Sequence, residues 1–163
     1  MRKGGGKEKG SAFERWVAKE LSLWLTGGQR NDLFWRTHSS GGLGTISKKK
    51  NEYGDIMSID DEGRKLTDKY NIECRHGKCL DLKHLIYSIK SSSLISLIVE
   101  GRTNSKLSER KPLWIIKEQN RDVLVMMDRN DDNIKSLVNL VEFFVYDVIM
   151  MKFEDWKREF KII

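Results

Sequence analysis

The 163 residues contain only two cysteines, too few for a disulfide framework in a chain of this size. No apolar run approaches the roughly 20 residues that a membrane span needs. The first ten residues, MRKGGGKEKG, are basic and glycine-rich with no apolar stretch behind them, which argues against a secretory signal. They also lack the preceding strand and the Gly-Lys-Ser/Thr ending of a phosphate loop. No internal repeat, common zinc spacing or recognition-helix pattern occurs. These absences point to a chain that works in a reducing cytoplasm, away from membranes.

What is present is enough for one folded domain. Hydrophobic residues make up 39% of the chain and five are Trp, so a core can form. Lys plus Arg number 30 against 24 Asp plus Glu, a net charge of +6. That surplus favours a polyanionic partner, nucleic acid first.

Periodicity divides the chain into a basic tail, residues 1–10, and a single domain, 11–163. Phe13, Trp16, Val17, Leu21 and Trp24 recur at helical spacing over 11–25, and TGG at 26–28 stops the helix. LFWRTH, 33–38, reads as a strand. SSGGLGTISKKKNE, 39–52, reads as a loop. Strands follow near 53–59 and 70–76, joined by a turn at DDEGR. Leu82, Leu85, Ile86 and Ile89 keep helical spacing within 80–100, and 101–112 reads as a polar, basic loop. LWIIKE and DVLVMMD form a strand pair, 137–151 fits helix or strand, and FEDWKREF closes as a short helix. No role is assigned to 134–163. The order implies a mixed α/β domain, a central sheet flanked by helices.

Three acids stand out. Asp55 and Glu73 each interrupt an apolar stretch, YGDIMSID and NIECRHGKC, and Glu14 lies in the first helix. Alternation places Ile72, Cys74 and His76 on one strand face and Glu73 with Arg75 on the other. Carboxylates gathered at a sheet end suit a hard cation, Mg²⁺ or Mn²⁺, which can activate water against a phosphodiester. Each acid has a structural alternative. Ser11 and Glu14 have capping-box spacing, Asp55 after Gly54 suits a turn, and Glu73 with Arg75 suits a cross-strand ion pair. A rival zinc set, Cys74, His76, Cys79 and His84, matches no common spacing; Cys74 is expected in the core instead.

The FER of the first helix, WRTHSSGG, YGDI and IECR, in that order, resemble the PD-(D/E)XK nuclease superfamily. Within it the chain is similar to archaeal-type Holliday junction resolvases and their phage-encoded relatives, over about residues 10–90. The resemblance implies a restriction-endonuclease-like fold and a metal-dependent endonuclease with Glu14, Asp55 and Glu73 around the metal. It also implies that Ser39 or Ser40 lies on a loop near DNA. One position departs from the pattern: Arg75 stands where Glu-x-Lys is expected. Arg keeps the charge but cannot act as a base at neutral pH, so the catalytic cation is either Arg75 or Lys78.

Lys48, Lys49 and Lys50 before Asp55, and Arg102, Lys106, Arg110 and Lys111 in the later polar segment, are candidate phosphate contacts, with Arg36 counted among them. With no base-reading motif, the expected target is a DNA shape such as a branch, cut by a homodimer whose interface draws on apolar residues in 94–99 and 141–151. A restriction- or repair-type nuclease, and a non-catalytic DNA binder that keeps the fold, are the alternatives.

Overall fold

A computed structural model describes residues 5–37, 53–77 and 93–162. Helix α1 spans Gly5–Leu25 and buries Phe13, Val17, Ala18 and Leu21. It ends where Gly27 and Gly28 take positive φ and the Gly28 N–H reaches the Leu23 carbonyl at 2.7 Å, a turn that favours glycine. Its start corrects two expectations. Residues 5–10, expected in a basic tail, are helical: once the packed turns around Phe13 form, each added glycine costs only about 1 kcal/mol. Ser11 and Glu14 therefore lie inside the helix and form no capping box.

Strands β1 (Phe34–Arg36) and β2 (Ile56–Ser58) pair antiparallel, with Trp35 opposite Met57. The expected turn at DDEGR is instead a two-turn helix, α2, Asp61–Thr67. Asp60 caps it by accepting from the Gly63 N–H at 3.1 Å, and Asp61 and Glu62 favour its N-terminal end. Strand β3 (Tyr70–Gly77) then runs parallel to β4 (Lys111–Glu118), and helix α3 (Ser93–Ser108) lies between them in sequence. Strands β5 (Val123–Asp128), β6 (Val141–Phe143) and β7 (Val148–Lys152) complete a sheet in the order β3-β4-β5-β7-β6. Helix α4, Phe153–Glu159, closes the described chain as expected. Among the described residues, no helix is long and apolar enough to cross a membrane.

The sheet separates two cores. One row of partners, Ile72, Leu113, Met127 and Ile149, faces α1 and α4 with Phe13, Val17 and Trp156. The adjacent row, Glu73, Trp114, Met126 and Met150, lies on the opposite face, where Trp114, Met126 and Met150 pack with Leu94, Leu97 and Ile98 of α3. The polar loop expected over 101–112 is thus helical as far as Ser108. Its buried stripe uses Gly101, Ser105 and Ser108 after Leu94, Leu97 and Ile98, and small or polar residues leave no apolar period to read. Most apolar residues of 94–99 and 141–151 are spent on the two cores, while Val99, Val141 and Phe144 remain exposed.

Gly101 sits against the Trp114 indole, whose Nε1 donates to the Leu97 carbonyl at 3.1 Å. A Cβ at position 101 would strike that ring. Helix propensity alone would make Gly101→Ala stabilising by about 1 kcal/mol. Overpacking should outweigh it, and urea denaturation should show a net loss of about 1–3 kcal/mol.

Candidate active site

Asp55, in the segment leading into β2, docks on the outer edge of β3. The Asp55 N–H donates to the Ile72 carbonyl at 2.7 Å. The Cys74 N–H donates to Asp55 Oδ2 at 2.8 Å. The carboxylate thus takes the place of a neighbouring strand's carbonyl. Such close docking demands glycine before it: Gly54 has φ +87°, and a Cβ there would lie 2.8 Å from both the Ile72 carbonyl and Asn71 Oδ1. Thr37 fixes the segment from the other side, its hydroxyl donating to the Gly54 carbonyl at 2.7 Å and its N–H to the Asp55 carbonyl at 2.9 Å.

Glu73 is 7% exposed, at the edge of the apolar row beneath α3. Its Oε1 accepts from Asn71 Nδ2 at 3.0 Å and from Asn104 Nδ2 of α3 at 2.9 Å. Two amides therefore hold a carboxylate that aliphatic neighbours would leave unpaired. Glu14 approaches from α1 and accepts from Arg36 Nε at 2.9 Å. Arg75 shares the Glu73 face as alternation required. It is exposed, and its nearest acid, Glu100, is 4.0 Å away.

The acids feel one another. Burial, then the Glu73 charge, push the Asp55 carboxyl up to about 7. The Cys74 N–H opposes that shift, Glu14 adds to it and Arg75 opposes it. Burial, followed by Asp55, Glu14 and Glu73, also pushes the Cys74 thiol up. This makes Cys74 a poor zinc thiolate. It packs against the main core, and His76 lies against Phe13 with ring centres 5.6 Å apart.

The donor set is hard oxygen, which fits a divalent cation of the Mg²⁺ type. Asp55 Oδ1 has no hydrogen-bond partner among the described residues. Among those residues no group of three His, Cys, Asp or Glu side chains is arranged to hold a metal ion; Asp55 and Glu73 are the pair of acids on the β3 edge that could contribute to one.

The basic candidates divide. Arg36 is tied to Glu14. Arg102 and Asn104 point 200° apart around α3: Asn104 reaches Glu73, whereas Arg102 Nε donates to Asp128 at 2.9 Å. Lys111 Nζ donates to Asp131 at 3.2 Å. Burial lowers the Arg110 pKa, against an opposing pull from Asp68. With Lys106 these three line a cleft of about 580 Å³. Lys111 lies three residue pairs from Glu73 along β3 and β4, about 10 Å. The four are therefore not brought to the carboxylates. His38, Ser39, Ser40, Lys48, Lys49, Lys50, Lys78, Cys79 and His84, and the Leu82–Ile89 pattern, fall outside the described residues.

Sequence reading missed Gly54, Thr37, Asn71 and Asn104 as parts of the site. Asn71 was within reach of it, two residues before Glu73 on the same strand face. Asn104 was not, because its segment carries no helical period.

A protein-family model described as "Phage putative PDDEXK endonuclease" matches residues 5–163. No curated protein and no solved structure shows a significant match.

The Asp55 shift has a consequence for stability. The folded chain holds this proton up to about pH 7, against the usual 3.8. Between those values the folded state binds more protons than the unfolded chain, so stability falls as pH rises. In EDTA the melting temperature should therefore decline from pH 4 to 7 more steeply for the wild type than for Asp55→Asn.

Proposed function

The chain belongs to the phage PDDEXK endonuclease family, and on that footing we propose that it is a Mg²⁺-dependent DNA endonuclease that resolves four-way junctions. The observation that carries the proposal is the docking of Asp55 on the β3 edge beside Glu73, with Glu14 close enough to raise the Asp55 pKa. Asp55 and Glu73 would hold the ion, with Glu14 assisting. When bound, a divalent cation there supplies an activated water and charge stabilisation on the phosphodiester. Asn71 and Asn104 hold Glu73 at its post, and the Cys74 N–H holds Asp55. Arg75 offers a permanent charge and a forked donor to a phosphate.

The junction preference is supported by the order of FER, YGDI and IECR and by the lack of a base-reading motif. Ser39, Ser40, Lys48, Lys49 and Lys50, outside the described residues, are proposed phosphate contacts on the strength of the sequence alone. Arg102, Lys106, Arg110 and Lys111 are assigned a second, more distant contact. Paired incision suits a homodimer. Its interface would lie around β6, at the end of the described sheet, where Val138, Val141 and Phe144 are exposed. Arg75 in place of Lys favours a second reading, a DNA binder with little or no cleavage.

Cleavage of a synthetic four-way junction should require Mg²⁺ or Mn²⁺ and stop in EDTA. It should exceed cleavage of a flap or linear duplex; equal cutting of the linear duplex would favour a restriction- or repair-type role. Asp55→Asn and Glu73→Gln should each lose more than the roughly 10–100-fold expected of Asn104→Ala, an outer-shell partner. Gel shifts of the junction should persist in both, since Lys and Arg contacts carry binding.

Arg75→Ala should lose far more cleavage than Lys78→Ala, because Arg75 shares the Glu73 strand face. If Lys78→Ala is the inactive variant, the cationic role passes to Lys78.

A further inference from the structure

Strand β1 carries the only exposed tryptophan among five. Trp16 and Trp24 are partly covered, Trp114 and Trp156 are buried, and Trp35 is 50% exposed. The exposure follows from alternation. Phe34 is buried and Arg36 turns to Glu14 on α1, so Trp35 projects from the opposite face of the β1–β2 ribbon.

That face leads to the candidate site. Trp35 stands directly opposite Met57. Asp55 is two residues before Met57, at the bend that precedes β2, and the Thr37 N–H to Asp55 carbonyl bond ties that bend to β1. Trp35 and Met57 thus share one face, and Asp55 lies at the bend just before β2 with its carboxylate turned to the β3 edge. Ile59, 55% exposed, continues it away from the acid. A phosphodiester brought to Asp55 places its nucleotides along this apolar strip.

We propose that Trp35 is a substrate-positioning residue that stacks on an unpaired nucleobase beside the scissile phosphate. The inference rests on the nuclease reading and names how that site would choose its DNA. Aromatic faces accept any base, so stacking tolerates sequence. A continuous duplex keeps its base faces covered, whereas a branch point exposes them. An exposed aromatic next to the acid would therefore favour branches without reading bases, and the position of the strip beside the Asp55 bend favours nucleic acid as its occupant over a second copy of this chain.

The test uses the full chain with a four-way junction carrying 2-aminopurine at the branch, and a linear duplex of equal length, both in Ca²⁺. Wild type, Trp35→Phe, Trp35→Leu and Asp55→Asn are compared. Trp35→Leu keeps an apolar side chain and should melt with the wild type. It should weaken junction binding by roughly 10-fold or more, leave duplex binding unchanged and abolish the quenching of 2-aminopurine seen with wild type. Trp35→Phe should restore most of both signals. Equal junction affinity for Trp35→Leu and wild type would overturn the proposal. So would an equal loss on junction and duplex, or a change in light-scattering mass, which would mark Trp35 as a contact between copies. Cleavage in Mg²⁺ separates the two levels. An inactive Asp55→Asn beside an unimpaired Trp35→Leu sinks only the stacking role, whereas an active Asp55→Asn sinks the site assignment beneath it.

Discussion

Two hydrogen bonds along the open edge of β3 set the geometry of the acidic site. One joins the Asp55 N–H to the Ile72 carbonyl, and the other joins the Cys74 N–H to the Asp55 carboxylate. An edge strand normally presents unpaired backbone groups that invite aggregation. Here one residue satisfies two of them, through its backbone and its side chain. The peptide it grips contains Glu73, so gripping the edge and pairing the acids are one act. Thr37 braces the gripping segment from β1, and Arg36 of the same strand holds Glu14. All three acids therefore depend on how the small β1–β2 ribbon sits against β3.

The two faces of the sheet carry different duties. The α1 and α4 side is a continuous apolar core with five stacked or tilted ring contacts around Trp24, Phe153, Trp156 and Phe160. The α3 side is apolar from Trp114 outward and turns polar only at β3, where Asn104 replaces an aliphatic residue. Glu73 is tolerated in a hydrophobic row because it sits at that boundary. Two neutral amides, Asn71 and Asn104, donate to its Oε1 and fix the carboxylate without adding charge of their own.

Much of this was readable from residue order. Alternation in NIECRHGKC assigned both faces of β3 correctly, since Cys74 packs on the core and Glu73 on α3. The paired strands LWIIKE and DVLVMMD and the closing helix were also plain, because their apolar periods are strong. Where the period is built from Gly101, Ser105 and Ser108 it is invisible to hydropathy, and half of α3 was lost to a supposed loop. The same blindness made Arg102 and Lys111 look like free loop cations, although each is ion-paired. At DDEGR, turn-forming residues and a helix cap use the same side chains, and only Phe34 and Leu33 packing over Gly63 decides between them.

The left-handed glycine ahead of Asp55 has a genetic side. An active nuclease burdens any host that must carry its gene, and selection there favours inactivated copies. Position 54 is a wide target for such escape: apart from one change to a stop codon, every change in the first or second base of a glycine codon installs a side chain, and here any side chain meets the Ile72 backbone. Inactive clones can thus arise with every acidic residue intact, so sequencing the acids alone does not certify a preparation as competent.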